Sequence, residues 1–445
     1  MGGRVSAPAR LFGTDGVRGV AGEFLSAELA LSLGRAAAAI APAETPQILI
    51  VRDTRESGEM LEAALAAGIA ASGGHALLGG VLPTPGAALL IRRFGFDMAA
   101  VVSASHNPYR DNGIKFFGPN GTKISDDDER EIERIVAGAS EEAEAADGRV
   151  RELHGAGGDY LRELQARFAD LDLSDRRILL DCANGATYRV APEIFRRLGA
   201  RVEAVAAEPD GRNINDGVGS THVGALAERM GSGDFDVAFA FDGDGDRVLA
   251  VDRRGTVVDG DELIALAAMH LRSNGRLPGD GVAVTVMTNY GFHQAMEAAG
   301  VNVATTPVGD RHVLAELLGR GWALGGEQSG HIIDTGFVPS GDGIASALLT
   351  LEALGDRDLA DRDAMTKLPQ QLVNVRVGDR EALDGAKGVW EAVEAESKAL
   401  EGRGRVLVRP SGTEPLVRVM VEAPDEGECE QVTRRLVEVV ERELA

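Results

Sequence analysis

Apolar and polar positions along the chain repeat one arrangement three times: a short apolar run, a loop and helical stretch, a second run, another loop and helix, then a third apolar run. The first copy goes from Ile48 (ILIVRDTRES) through HALLGGV to AAVVSASHNP. The second goes from Ile178 (ILLDCANGAT) through RVEAVAAEPDG to DVAFAFDGDGDR, and the third from Val282 (VAVTVMTNYG) through VNVATTPVGDR to WALGGEQSGH. Short apolar runs alternating with helical segments predict α/β units with parallel strands. Such sheets present ligands at the carboxyl ends of their strands. In each copy the third run opens into a loop dense with chemistry, carrying serine, aspartate and glutamate in turn. Three related units with such loops at equivalent ends predict one shared site.

The pattern changes after residue 368. LVNVRVG, RVLVRP and LVRVMVEA alternate with period two and read as strands. One long amphipathic helix is expected over EALDGAKGVWEAVEAESKALEG and another over CEQVTRRLVEVVEREL. This predicts a small α+β domain with helices over one face of an antiparallel-rich sheet. Acidic, Gly/Ala-rich residues 137–158 close the first copy, and charged residues 355–369 close the third. The expected domains are 1–154, 155–252, 253–367 and 368–445, the middle two closely joined because VLAVD follows directly on DGDGDR.

A formal charge of −24 disfavours nucleic acid and anionic membrane as partners. No apolar run reaches the length of a membrane helix, and MGGRVSAPAR lacks a signal-peptide core. Two cysteines, Cys182 and Cys429, cannot build a disulfide framework, so a cytoplasmic setting is expected.

Four loops carry candidate chemistry. In DGDGDR, Asp242, Asp244 and Asp246 alternate at the end of an apolar strand, so their carboxylates can converge. Three together repel unless a hard cation joins them. An EF-hand is excluded, because its glycine and twelfth positions hold Arg247 and Arg253. SASHNPYRDNGIKFF offers Ser105, His106 and Lys115; a hydrolase pair is not expected, since adjacent residues rarely face each other and no G-x-S-x-G is present. GGEQSGH, Gly325 to His331, sets a carboxylate, an amide and a hydroxyl between glycines, a set suited to sugar hydroxyls. RPSGTEPLVR offers Ser411, Gly412 and Thr413 as an anion nest, flanked by Arg409 and Arg418. RLFGTDGVRG places Thr14 and Arg18 in a further glycine-rich loop able to reach the same cleft. Each string taken alone also reads as an ordinary polar turn. The P-loop, dinucleotide and H-E-x-x-H signatures are missing. The sum predicts phosphoryl transfer on a phosphorylated polyol without a nucleotide.

With four motifs in order over its whole length, the chain resembles the α-D-phosphohexomutase superfamily. LFGTDGVRG, SASHNPYRDNGIKFF, DCANGAT and GGEQSGH look most like its glucosamine-phosphate branch. The resemblance implies three related α/β domains with mixed sheets around a central cleft, plus the C-terminal α+β domain as a mobile closure. It implies that Ser105 is the phosphoserine and exchanges phosphate with glucosamine 6-phosphate through a 1,6-bisphosphate to give glucosamine 1-phosphate, for UDP-N-acetylglucosamine synthesis. One Mg²⁺ per chain would sit on Asp242, Asp244, Asp246 and a phosphate oxygen of Ser105. Glu327 and Ser329 would hold sugar hydroxyls, and Arg409, Ser411, Gly412, Thr413 and Arg418 the phosphate not reacting. Lys115 is expected as general base, its pKa lowered by nearby cations. Arg18 and His106 would stabilise the transferred charge, and His331 would assist at the sugar end. The expected partner is a small hexosamine phosphate, and a homodimer is compatible with the resemblance. Two departures concern substrate contacts: His312 stands where tyrosine is expected, and Ser220 where alanine is more usual. A mannose- or glucose-phosphate mutase is the nearest alternative, and a non-catalytic sugar-phosphate sensor the alternative from another class.

Overall fold

Strands form where the apolar runs are, and hairpins form where the chemistry-bearing loops are. The computed structural model describes residues 10–13, 15–138, 147–231, 233–411 and 414–444. These divide into two units: Met1–Val286 with Ala304–Arg362, and Met287–Val303 with Asp363–Ala445.

The first sheet holds β1 (Val17–Val20), β2 (Gln47–Arg52), β3 (His75–Val81), β4 (Met98–Val102), β5 (Asp111–Phe117) and β6 (Arg149–Glu152), in the order β1-β5-β4-β2-β3-β6. The second holds β7 (Arg177–Asp181), β8 (Arg201–Val205), β9 (Val237–Phe241), β10 (Val248–Asp252) and β11 (Val257–Val258), in the order β11-β10-β9-β7-β8. The third holds β12 (Gly281–Thr285), β13 (Asn302–Thr306), β14 (Leu324–Gly326) and β15 (Ile332–Asp334), in the order β13-β12-β14-β15.

One plan underlies all three. The first strand of each copy lies between the second and the third, and the third runs parallel to it. A fourth strand then returns antiparallel beside the third, pairing β4 with β5, β9 with β10 and β14 with β15. The serine, aspartate and glutamate loops are therefore hairpin turns. Each is tethered at both ends to buried backbone: all five residues of β4 and of β9 and all three of β14 are buried. The sheets are mixed, as expected. The edge strand β6 falls within the polar segment 137–158. Its four residues are all exposed, so no apolar period marked it.

In the second unit β16 (Gln370–Arg376), β17 (Arg405–Pro410) and β18 (Leu416–Glu422) form an antiparallel sheet in the order β16-β18-β17. Val375, Val417, Val419 and Val421 share one core with Val432, Leu436 and Val440 of the helix Glu426–Leu444. The single long helix expected before β17 is divided. A 3-10 turn over Arg380–Gly385 is capped by the Asp379 carboxylate on the Glu381 N–H, and an α-helix runs over Lys387–Ala399. Ala386, at φ −78° and ψ 81°, breaks the continuity. Among the described residues, no helix is long and apolar enough to cross a membrane.

Candidate active site

The β9–β10 turn brings Asp242, Asp244 and Asp246 together, one oxygen of each lying within 4.8 Å of the others. All three are buried, and Asp244 Oδ1 and Asp246 Oδ1 have no hydrogen-bond partner. Buried, orphaned hard oxygens fit a small divalent cation, so this trio can hold a metal ion. Burial, and then the charges of Asp246 and Asp244, push the Asp242 carboxyl well above the usual carboxylate range. Burial acts on Asp246 in the same sense, but His331, Lys115 and Arg247 outweigh it and hold that carboxyl low.

The β4–β5 turn faces this trio. Ser105 Oγ donates to Asp242 Oδ2 at 2.6 Å. Ser105 is buried and has φ 51°, a left-handed backbone that costs a non-glycine residue roughly 1–2 kcal/mol. That conformation abolishes the alternation of an extended chain. Ser105 Oγ and His106 Nδ1 accordingly lie 3.3 Å apart, and the expectation that these neighbours would not face each other is corrected. Burial, aided by Arg247 and Arg18, lowers the His106 pKa and favours the neutral imidazole.

Lys115 projects from β5 and is fully buried. Its Nζ meets Asp244 Oδ2 at 2.8 Å and Asp15 Oδ2 at 3.0 Å. Burial works against the ammonium, but Asp15, Asp244 and Asp246 outweigh it and push the pKa up. The expected lowering by nearby cations is thus overturned, because the closest charges are carboxylates.

The third segment closes the arrangement. Glu327 Oε1 accepts from the Gly309 N–H at 3.0 Å, and Ser329 is exposed in the same turn. His331 is buried, with Nδ1 3.6 Å from Asp246 Oδ2 and Nε2 accepting from the Gly341 N–H at 3.1 Å. Burial opposes its charging, but Asp246 and Asp310 raise its pKa. Lys123 bridges Asp15 and Asp310, the latter at 2.5 Å. A cleft of about 640 Å³ opens between these groups, lined by Arg18, His106, Asp246, Arg247, Glu327 and His331 among others. That volume suits a phosphorylated sugar.

Matches to family models settle the lineage. They are described as phosphoglucomutase/phosphomannomutase alpha/beta/alpha domain I over residues 9–143, domain II over 158–255, domain III over 259–372 and C-terminal domain over 372–439. The chain belongs to the phosphoglucomutase/phosphomannomutase family. Among curated members, the phosphoglucosamine mutase of Moorella thermoacetica is 49% identical over 439 residues, covering 97% of this chain and 99% of the relative. That of Desulforudis audaxviator is 50% identical over 439 residues, covering 97% of each. A solved phosphoglucomutase/phosphomannomutase family protein from Burkholderia thailandensis shares the fold with a TM-score of 0.81. It is 23% identical and the match covers 97% of either chain.

Of the residues singled out in the sequence, Ser105, His106, Lys115, Arg18, the three aspartates, Glu327 and His331 thus lie in one neighbourhood of this phosphohexomutase fold. Arg409, Ser411 and Arg418 belong to the second unit. Arg409 and Arg418 are paired across β17 and β18. Arg409 is partly buried, and desolvation, then Arg418, lowers its pKa, while Arg418 Nε is buried without a hydrogen-bond partner. Two arginines paired at one register position of a hairpin suit a phosphate. Ser411 is buried, its N–H donating to Leu416 O at 2.8 Å. Gly412, Thr413 and Thr14 lie outside the described residues. The sequence reading missed Asp15, Lys123, Asp310 and Arg247. Asp15 sits inside the glycine-rich string that was noted, but Lys123 and Asp310 carry no local signal.

Proposed function

We propose that this phosphohexomutase interconverts glucosamine 6-phosphate and glucosamine 1-phosphate. The observation that carries this reading is near-50% identity to phosphoglucosamine mutases along almost the whole chain. The direct bond from the Ser105 hydroxyl to the metal-suited aspartates supports the same chemistry.

In the proposed cycle Ser105 carries a phosphoryl group. The substrate's free hydroxyl oxygen forms a bond to phosphorus as the Ser105 Oγ–phosphorus bond breaks, giving a 1,6-bisphosphate. The other phosphate then returns to Ser105. Protons balance over the two halves. Ser105 Oγ gains one when phosphoryl leaves and loses it when phosphoryl returns, and the sugar oxygens do the reverse, with His331 at that end. Lys115, kept as an ammonium by Asp15 and Asp244, is suited to donate in the first half and to accept in the second. Arg18 and Arg247 face the cleft and would neutralise the transferring charge. Asp242, Asp244 and Asp246 would hold Mg²⁺, which supplies charge neutralisation when bound. Glu327 and Ser329 would read sugar hydroxyls, and Arg409, Ser411 and Arg418 would hold the second phosphate. No second reading is favoured by a specific observation.

The test is an isomerisation assay with glucosamine, mannose and glucose 6-phosphates, run on the parent and on Ser105→Ala, with mass mapping of phosphate on the protein. Preferred turnover of glucosamine 6-phosphate, phosphate on Ser105 and an inactive variant are expected. Equal efficiency on all three sugars rejects the substrate, and a fully active Ser105→Ala rejects the mechanism.

A further inference from the structure

We propose that Arg55 and Asn215 are positioning residues that grip the phosphoserine loop from two sides and hold Ser105 in its left-handed conformation. The proposal deepens the mutase reading above and rests on it.

Arg55 follows β2 and is fully buried. Its Nε meets Asp53 Oδ2 at 2.9 Å. Its Nη2 donates to Ser105 O at 2.9 Å and to Asn107 O at 2.8 Å, and its Nη1 donates to Asp111 O at 2.9 Å and to Pro108 O. A guanidinium has five N–H donors, and all five are spent on this cage. Arg55 therefore has none left for a phosphate, which separates it from Arg18 and Arg247 at the cleft.

The Ser105 backbone is held at both ends. Its N–H donates to Ser103 Oγ at 3.0 Å, and Ser103 Oγ donates to Asp53 Oδ2 at 2.5 Å. Asp53 binds Arg55, and Arg55 returns to the Ser105 carbonyl, closing a circuit of buried groups. Asn215 completes the grip from the second sheet's side, its Nδ2 reaching Ser105 O at 2.9 Å and Asn107 O at 3.1 Å. Two donors from separate segments thus converge on the same two carbonyls. The strained backbone so fixed is what aims Oγ at Asp242 and places it beside His106. A nucleophile that must release and recapture phosphate at one position needs such a mount.

Asn215 also provides a clean test. Its own φ is 58°, a conformation glycine adopts freely, so Asn215→Gly deletes the amide without asking the backbone to move. Arg55→Lys keeps the charge but offers three donors in place of five. Asn184→Gly, at φ 49°, removes side-chain bonds to Asn213 O and the Glu208 N–H in the same region without touching the serine loop, and serves as the control.

Each variant is assayed with glucosamine 6-phosphate, alongside its melting temperature, Mg²⁺ titration and the ³¹P resonance of the protein-bound phosphate. Misplacement of a reacting group by about an ångström costs about 100-fold in rate. Asn215→Gly and Arg55→Lys are expected to lose between about 10- and 100-fold in kcat, with KM and Mg²⁺ affinity near the parent's and a shifted ³¹P resonance. The melting temperature should stay near the parent's for Asn215→Gly and fall for Arg55→Lys, which leaves buried carbonyls without a donor. Asn184→Gly is expected to stay near the parent. The proposal is overturned if Asn215→Gly keeps kcat within about twofold of the parent, if its loss lies in KM alone, or if Asn184→Gly falls equally. A parent that is inactive on every hexose phosphate instead removes the mutase reading beneath it.

Discussion

Replacing Asp15 by asparagine tests the charge arrangement around the cleft. Asp15 Oδ2 meets Lys115 Nζ at 3.0 Å, and the same carboxylate also binds Lys123 and Arg18. With an effective dielectric of 20, one unit pair at that separation is worth about 5–6 kcal/mol before desolvation. Burial of the carboxylate takes back part of this, and an asparagine oxygen still accepts one hydrogen bond. Lys115 keeps Asp244, and Lys123 keeps Asp310. Asp15 is only half-buried and both lysines keep a partner, so the net loss should fall below the range for breaking a fully buried pair, at about 2 kcal/mol. The chain has two tryptophans, Trp322 and Trp390, so Trp390→Phe leaves Trp322 as the sole reporter, and it lies in the first unit. Urea unfolding followed by Trp322 fluorescence should show Asp15→Asn weakened by that amount at neutral pH. A change below about 0.5 kcal/mol, ordinary for a surface substitution, would refute the view of Asp15 as a hub.

Asp244→Asn should weaken Mg²⁺ binding by at least tenfold in calorimetric titration and lower turnover, while chelator should stop the parent and added Mg²⁺ restore it, because Asp244 offers a buried oxygen with no hydrogen-bond partner; unchanged affinity and activity would move the metal elsewhere. Arg409→Ala should raise KM with a smaller effect on kcat, by the loss of a charge-assisted contact of about 1.5–3 kcal/mol, roughly 10- to 150-fold. The His293 pKa is lowered to about 4 by burial and then by Arg405, so its contribution to stability is complete above its ordinary value of 6.5 and is lost as pH falls toward 4. Between pH 7.5 and 5 the second unit should lose about 2 kcal/mol from this group, and unfolding of His293→Gln should show a flatter pH dependence over that interval.

The three strand repeats were legible because β4, β9 and β14 are apolar throughout and end abruptly in polar turns. For the same reason Ser105, the aspartates and Glu327 stood out, being chemistry placed directly after buried backbone. Strand β6 was invisible, since an exposed edge strand needs no apolar period. The break at Ala386 lies in one pair of dihedral angles that amphipathic spacing does not encode. The contact of Ser105 with His106 depends on a left-handed residue, which sequence marks reliably only when that residue is glycine. Lys115 was identified, but its pKa direction was not. That direction depends on Asp15 and Asp244, which are 100 and 129 positions away along the chain.

The charge pairs of the first unit also bear on how it assembles. Lys115 with Asp244 joins the first sheet's segment to the second's, His331 with Asp246 joins the third to the second, and Lys123 with Asp310 joins the first to the third. Each segment contributes to two of these joints, so the joints form a closed triangle. Apolar faces tolerate sliding, since any apolar neighbour satisfies them approximately. A displaced Lys115, Asp244, Asp246 or His331 would instead be stranded away from water at several kcal/mol, while the half-buried pair of Lys123 and Asp310 adds a smaller penalty. Three similar sheets on one chain invite docking in the wrong pairing or register during synthesis. The triangle penalises every such mistake at two corners at once, so the groups that gather at the cleft also act as the key by which the repeats recognise their proper neighbours.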